Sequence, residues 1–122
     1  MKPVISEIDY KLLYDLLTSQ KNDLGKNLGQ EIAKALVVKE QEMDKKTIRL
    51  NSYVEVAEIA NNQKIKLKIV MPDSVDLKIH RISVFSPLSV ALIGYRENDV
   101  ITWTTPLGQS HFKITRVVNE EN

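Results

Sequence analysis

The sequence predicts an α+β fold: two helices in the first third, then an antiparallel β-sheet with one short helix across it. Three observations carry this. Apolar residues recur at helical spacing from Ile8 to Leu17 and again from Leu28 to Leu36. From Ile48 to Met71 the period falls to two, as half-buried strands require. A Ser-Pro pair, Ser86-Pro87, then opens an apolar helical stretch followed by two strand-like runs, VITWTT and SHFKITRVV.

Each element has a local reason. Ser6 is placed to cap the first helix, with Glu7 and Asp9 in its first turn complementing the dipole, and Ile8, Leu12, Leu13, Leu16 and Leu17 forming its stripe. The stretch from Thr18 to Gly29 gathers turn formers, after which Leu28, Ile32, Ala35 and Leu36 resume the helical period. The second helix is expected to run to about Met43. At about 14 to 18 residues each, the two helices would extend roughly 21 to 27 Å and lie antiparallel across a short connection.

In the sheet, Ile48, Leu50, Ser52, Val54 and Val56 alternate with Arg49, Asn51, Tyr53 and Glu55. Asn61-Asn62 supplies a turn into KIKLKIVMP, where Ile65, Leu67, Ile69 and Met71 share one face and Lys64, Lys66 and Lys68 the other. Ile82 to Phe85 is a short extended run. Ser86 then caps a helix whose first turn holds Pro87, whose inward residues are Leu88, Ala91 and Leu92 with Ile93 as a further candidate, and which Gly94 ends. Asn98-Asp99 turns the chain into a closing hairpin through PLGQ. The expected organisation is a helical hairpin over residues 1–46 and a sheet domain over 47–122.

Composition narrows the function. Seventeen Lys and Arg against 16 Asp and Glu leave a formal charge of +1, which gives no global attraction to nucleic acid, so nucleic acid is expected to be met only indirectly. The chain has no cysteine, which removes disulfides, thiolate metal sites and thiol catalysis and is compatible with a reducing cytoplasm. No run approaches the roughly 20 apolar residues of a membrane span. His80 and His111 lack partners at metal-ligand spacing, and the four glycines are scattered, so neither a metal, a cofactor nor a catalytic apparatus is expected.

Ile82-Ser83-Val84, Ser86-Pro87, Ala91-Leu92-Ile93-Gly94, Asp99-Val100 and Thr105-Pro106-x-Gly108 stand in one order over about 35 residues. This resembles the C-terminal domain of the GreA/GreB transcription factor family. IRLNSYVEV extends the resemblance upstream, with Asn51-Ser52 where the Rnk-like branch carries a similar pair, and a short helical hairpin in place of a long coiled coil also fits that branch. The resemblance implies an FKBP-like domain, present as a monomer, that docks on RNA polymerase near its secondary channel by gripping a coiled coil of the largest subunit. The docking corner carries over to Phe85, Ser86, Pro87 and Leu88.

Family members that stimulate transcript cleavage place two carboxylates at the hairpin tip to help hold a catalytic magnesium in the polymerase. Here the tip stretch Gln20 to Gly29 contains only Asp23, so cleavage stimulation is not expected; Asp23 with Glu31 is the rearranged alternative. A second alternative is a peptidyl-prolyl isomerase, because fold alone does not fix function. Against it, Tyr53, Phe85, Tyr95, Trp103 and Phe112 fall on both expected faces rather than forming a cage. Phe85 is either a core aromatic or a partner contact. Trp103 either covers the sheet or lines its concavity, and alternating lysines on an exposed strand more commonly keep that face soluble than touch nucleic acid.

Overall fold

Residues 2–19 and 25–120 are described by a computed structural model. The chain opens with a short strand, β1 (Val4–Ser6), that runs directly into α1 (Glu7–Thr18). Ser6 switches the backbone from extended to helical, and its Oγ accepts the Asp9 N–H at 3.1 Å. α1 buries Leu13 and Asp9, whereas Ile8 and Leu12, expected on its inner stripe, are exposed.

α2 covers only Lys26–Ala33, about ten residues short of the end its apolar period suggests. The reason is β2 (Leu36–Val38), which pairs in parallel with β1, while the Leu36 N–H donates to the Pro3 carbonyl at 2.8 Å. Two adjacent valines suit an extended backbone, and a partner strand more than thirty residues upstream decides the competition.

The main sheet has the order β5-β4-β3-β7-β6, with β3 (Tyr53–Glu58), β4 (Lys64–Val70), β5 (Arg81–Ser83), β6 (Val100–Thr105) and β7 (Gly108–Val118). Four strands are antiparallel, and β5 adds in parallel to the end of β4. The alternation from Ile48 onward is real at the level of burial, since Ile48, Ser52, Val54 and Val56 all point inward. The ladder nevertheless begins only at Tyr53, because Asn51 takes a left-handed φ of 71° and turns the chain. Ser52, fully buried, accepts the Arg49 N–H at 2.7 Å and donates to Asn119 Oδ1. Asn119 in turn donates to the Thr47 carbonyl at 2.8 Å, fastening the end of β7 to the segment that leads into β3.

α3 (Pro87–Leu92) lies across the inner face of the sheet. One apolar cluster joins Ile5, Leu13, Leu28 and Ile32 of the helical part to Ile48, Ile69, Leu92, Ile93 and Ile114 of the sheet part. Each such side chain contributes about 1.5–3 kcal/mol through burial, so the helices are held by the same core as the sheet. A polar clasp adds to it. Arg49 Nε donates to Asp9 Oδ2 at 2.8 Å, its Nη1 meets Glu40 Oε1 at 2.6 Å, and its Nη2 reaches Ser6 Oγ at 3.2 Å.

Candidate partner-binding corner

The corner at Ser83–Leu88 is built by local hydrogen bonds. The Ser86 N–H donates to the Ser83 carbonyl at 2.9 Å, and Ser83 Oγ accepts the Phe85 N–H at 3.0 Å, closing a tight bend after β5. Ser86 Oγ accepts the Ser89 N–H at 3.3 Å and donates to Ser89 Oγ at 3.0 Å, so it caps α3 as its sequence context suggests. Pro87 occupies the first helical position, where no N–H is missed.

The four corner residues do not share one fate. Pro87 is exposed, Ser86 and Phe85 are half-buried, and Leu88 is 8% exposed within the core cluster. Phe85 leans toward the helical part. A Cβ on Gly25 would lie 3.1 Å from Phe85 Cε1 and 2.4 Å from Leu17 Cδ2, which places the ring beside the start of α2 and the end of α1. Phe85 is thus partly a core residue, and the rest of its side chain is accessible. Asp23 lies outside the described residues.

Beside the corner runs a groove of about 690 Å³ between α2, α3 and β6. Pro87, Val90 and Ala91 form one wall, Glu31 and Lys34 another, and Tyr95 and Trp103 contribute aromatic surface. The Trp103 ring packs on Phe112 at 5.7 Å between centroids, and its indole N–H is buried without an acceptor among the described residues. The Tyr95 hydroxyl donates to Glu31 Oε1 at 3.1 Å, and burial together with that carboxylate pushes the phenol up to about 12. Glu31 also pairs with Lys34 at 3.0 Å. The groove follows from a contact between α2 and the turn after α3, more than sixty residues apart, and nothing local in the sequence marks it.

Among the described residues no group of three His, Asp or Glu side chains is placed to hold a metal, and no helix is long and apolar enough to cross a membrane. Of the five aromatics considered for an isomerase pocket, Tyr95 and Trp103 line the groove. Phe112 is buried, Phe85 faces the helical part, and Tyr53 is on the opposite face of the sheet.

Residues 43–119 match the family model described as the C-terminal domain of the GreA/GreB transcription elongation factors. Transcription elongation factor GreA of Syntrophotalea carbinolica is 36% identical over 94 residues, 77% of this chain and 58% of that protein. GreA of Pelobacter propionicus is 31% identical over 93 residues, 76% of this chain and 59% of the relative, so the chain spans about three fifths of the length of these relatives. The solved structure of a prokaryotic transcription elongation factor GreA/GreB from Nitrosomonas europaea superposes with a TM-score of 0.79 at 29% identity, covering 98% of this chain and 99% of that one. Thermus aquaticus Gfh1 shares the fold at a TM-score of 0.56 and 19% identity, covering 97% of this chain and 99% of that one.

Proposed function

The chain belongs to the GreA/GreB family, and from that premise we propose that it is a non-enzymatic, cytoplasmic transcription regulator of the Rnk-like type that binds RNA polymerase. The observation that carries this reading is the Ser86-Pro87 corner, a rigid capped bend whose proline remains exposed beside a groove with both apolar and polar walls. A preorganised edge of this kind binds with little ordering cost. It would grip the coiled coil of the largest subunit near the secondary channel, and the helical part would occlude that channel without reaching the active site.

Helix length supports occupancy over cleavage stimulation. α1 has 12 residues and α2 has 8, about 18 and 12 Å at 1.5 Å per residue. A backtracked polymerase complex incubated with the purified protein is expected to show no acceleration of transcript cleavage. A clear acceleration would restore the reading in which Asp23 and Glu31 act as rearranged tip carboxylates.

Pro87→Asp tests the corner. The position is exposed and at a helix N-terminus that tolerates a carboxylate, so the fold is expected to survive while capture by core RNA polymerase falls at least tenfold. Retention equal to the unsubstituted chain would remove this corner from the interface. An isomerase reading gathers less support, because only two of the five aromatics share the groove.

A further inference from the structure

The sheet's outer face concentrates positive charge that the composition hides. On β4, Lys64, Lys66 and Lys68 recur every second residue, about 6.8 Å apart along the strand. The sheet order brings others alongside: Arg81 lies opposite Lys68, Arg116 opposite Glu55, and Lys113 opposite Ala57. Six cations thus stand on this face against Glu55, Glu120 and Asp76, which lies opposite Arg81, an excess of three on a chain whose whole formal charge is +1.

Folding does not account for the arrangement. Lys68 and Arg81 are like charges directly opposite each other, and Lys64 and Lys113 flank Ala57 from its two sides, both unfavourable for pairing. Edge protection could serve Lys64 and Lys66, which precede the part of β4 that β5 covers, and Arg116, which lies past the part of β7 that β6 covers, but Lys113 is paired on both sides, to β3 and to β6. Only Lys64 makes an ion pair among the described residues of this set, with Glu55 at 3.7 Å. At the centre, an exposed Tyr53 stands on the middle strand with Lys68 Nζ 4.7 Å from its ring centroid. A shallow depression of about 480 Å³ opens over it, edged by Lys66, His80 and Arg116.

We propose that this face binds single-stranded nucleic acid, with Lys66, Lys68, Lys113 and Arg116 on backbone phosphates and Tyr53 as a stacking platform for one base. Uncompensated cations select a polyanion. The exposed aromatic on the central strand selects a nucleic acid over an acidic peptide, because a base has a flat face to stack and a glutamate side chain has none. One platform makes the binding weak and indifferent to sequence. The surface is separate from the Ser86-Pro87 corner and needs no polymerase.

Fluorescence anisotropy with a labelled 12-nucleotide oligouridylate and the full chain tests it. Four phosphate contacts predict a log–log salt slope near −3, so raising KCl from about 50 to about 200 mM should weaken binding roughly 50-fold. Replacing Lys66, Lys113 and Arg116 together by Gln should cost at least tenfold at low salt and flatten the slope to about −1, with an unchanged circular dichroism spectrum. Tyr53→Leu, which keeps every charge, should cost fivefold or more. No saturable binding below about 1 mM at low salt, or affinity unmoved by the triple Gln variant, overturns the proposal. So does polyglutamate competing as well as the oligonucleotide while Tyr53→Leu is silent, which would assign the face to an acidic protein segment. Polymerase capture by the triple Gln variant should be unchanged, which keeps this outcome distinct from that of Pro87→Asp.

Discussion

Gly94→Ala is expected to destabilise the protein by about 3 kcal/mol or more, lowering the melting temperature by roughly 10 °C, through two costs that act together. The first is conformational: Gly94 has a φ of +88°, where an L side chain costs about 1–2 kcal/mol. The second is a collision with the backbone. An added Cβ would lie 2.5 Å from Pro3 Cβ and 2.9 Å from the Val4 nitrogen. Neither can step aside, because Val4 N–H donates to the Gly94 carbonyl at 2.9 Å and Gly94 N–H donates to the Ile48 carbonyl at 2.9 Å. One residue thus joins β1, the approach to β3 and the end of α3. Gly108 supplies the control. Its φ is +127°, yet nothing lies within 4 Å of the place an added methyl would take, so Gly108→Ala should cost only the conformational part. Equilibrium urea unfolding of both variants separates the two costs. If they destabilise equally, the seam around Gly94 is not closed in solution.

What is legible in the sequence is what neighbours along the chain decide. Ser6 and Ser86 announce helix starts because a cap acts within three residues, and each capping hydrogen bond falls where the spacing places it. The outer lysines of β4 are visible for the same reason, since a strand alternates by itself. Sequence and structure part where a distant partner decides. Leu36–Val38 fit a helical stripe until β1 offers them a ladder, and β5 is a strand only because β4 lies beside it. The separation of charge follows the same rule. Lys113 and Arg116 carry no signal in their own segment, and they meet the β4 lysines only through the order of strands. At the corner, sequence spacing locates the bend correctly. It also turns Leu88 inward, where the structure buries it, but it does not show that Phe85 leans on the helices, because that depends on how the first third folds back over α3.

Arg49→Met should destabilise by about 2–3 kcal/mol, and most of that cost should come from the charge it strands rather than the contacts it removes. Asp9 is 7% exposed, and its carboxylate receives Arg49 Nε at 2.8 Å. Methionine keeps the apolar stem and fills similar volume, so packing is largely preserved while Asp9 becomes a buried anion without its cation. Removing one member of a fully buried pair costs about 3–5 kcal/mol; the figure is smaller here because the Arg49 side chain is about one-fifth exposed. Adding Asp9→Asn to the variant neutralises the stranded group and should recover at least about 1 kcal/mol. Failure to recover anything would trace the loss to packing. Acid gives an independent check on the same clasp. The hydrogen bond from Arg49 holds the Glu40 carboxyl below the ordinary value. A depressed carboxylate contributes stability that is present above its unfolded-state pKa and disappears as pH falls through the lower folded value. The unsubstituted chain loses that contribution in acid, and the Met variant, which keeps only the smaller hydrogen bond from Ser6, has less to lose. Their difference in unfolding free energy should therefore narrow between about pH 5 and pH 3, and hydrogen exchange at neutral pH should rise first in β1 and the opening turn of α1, the segment Arg49 fastens to the sheet.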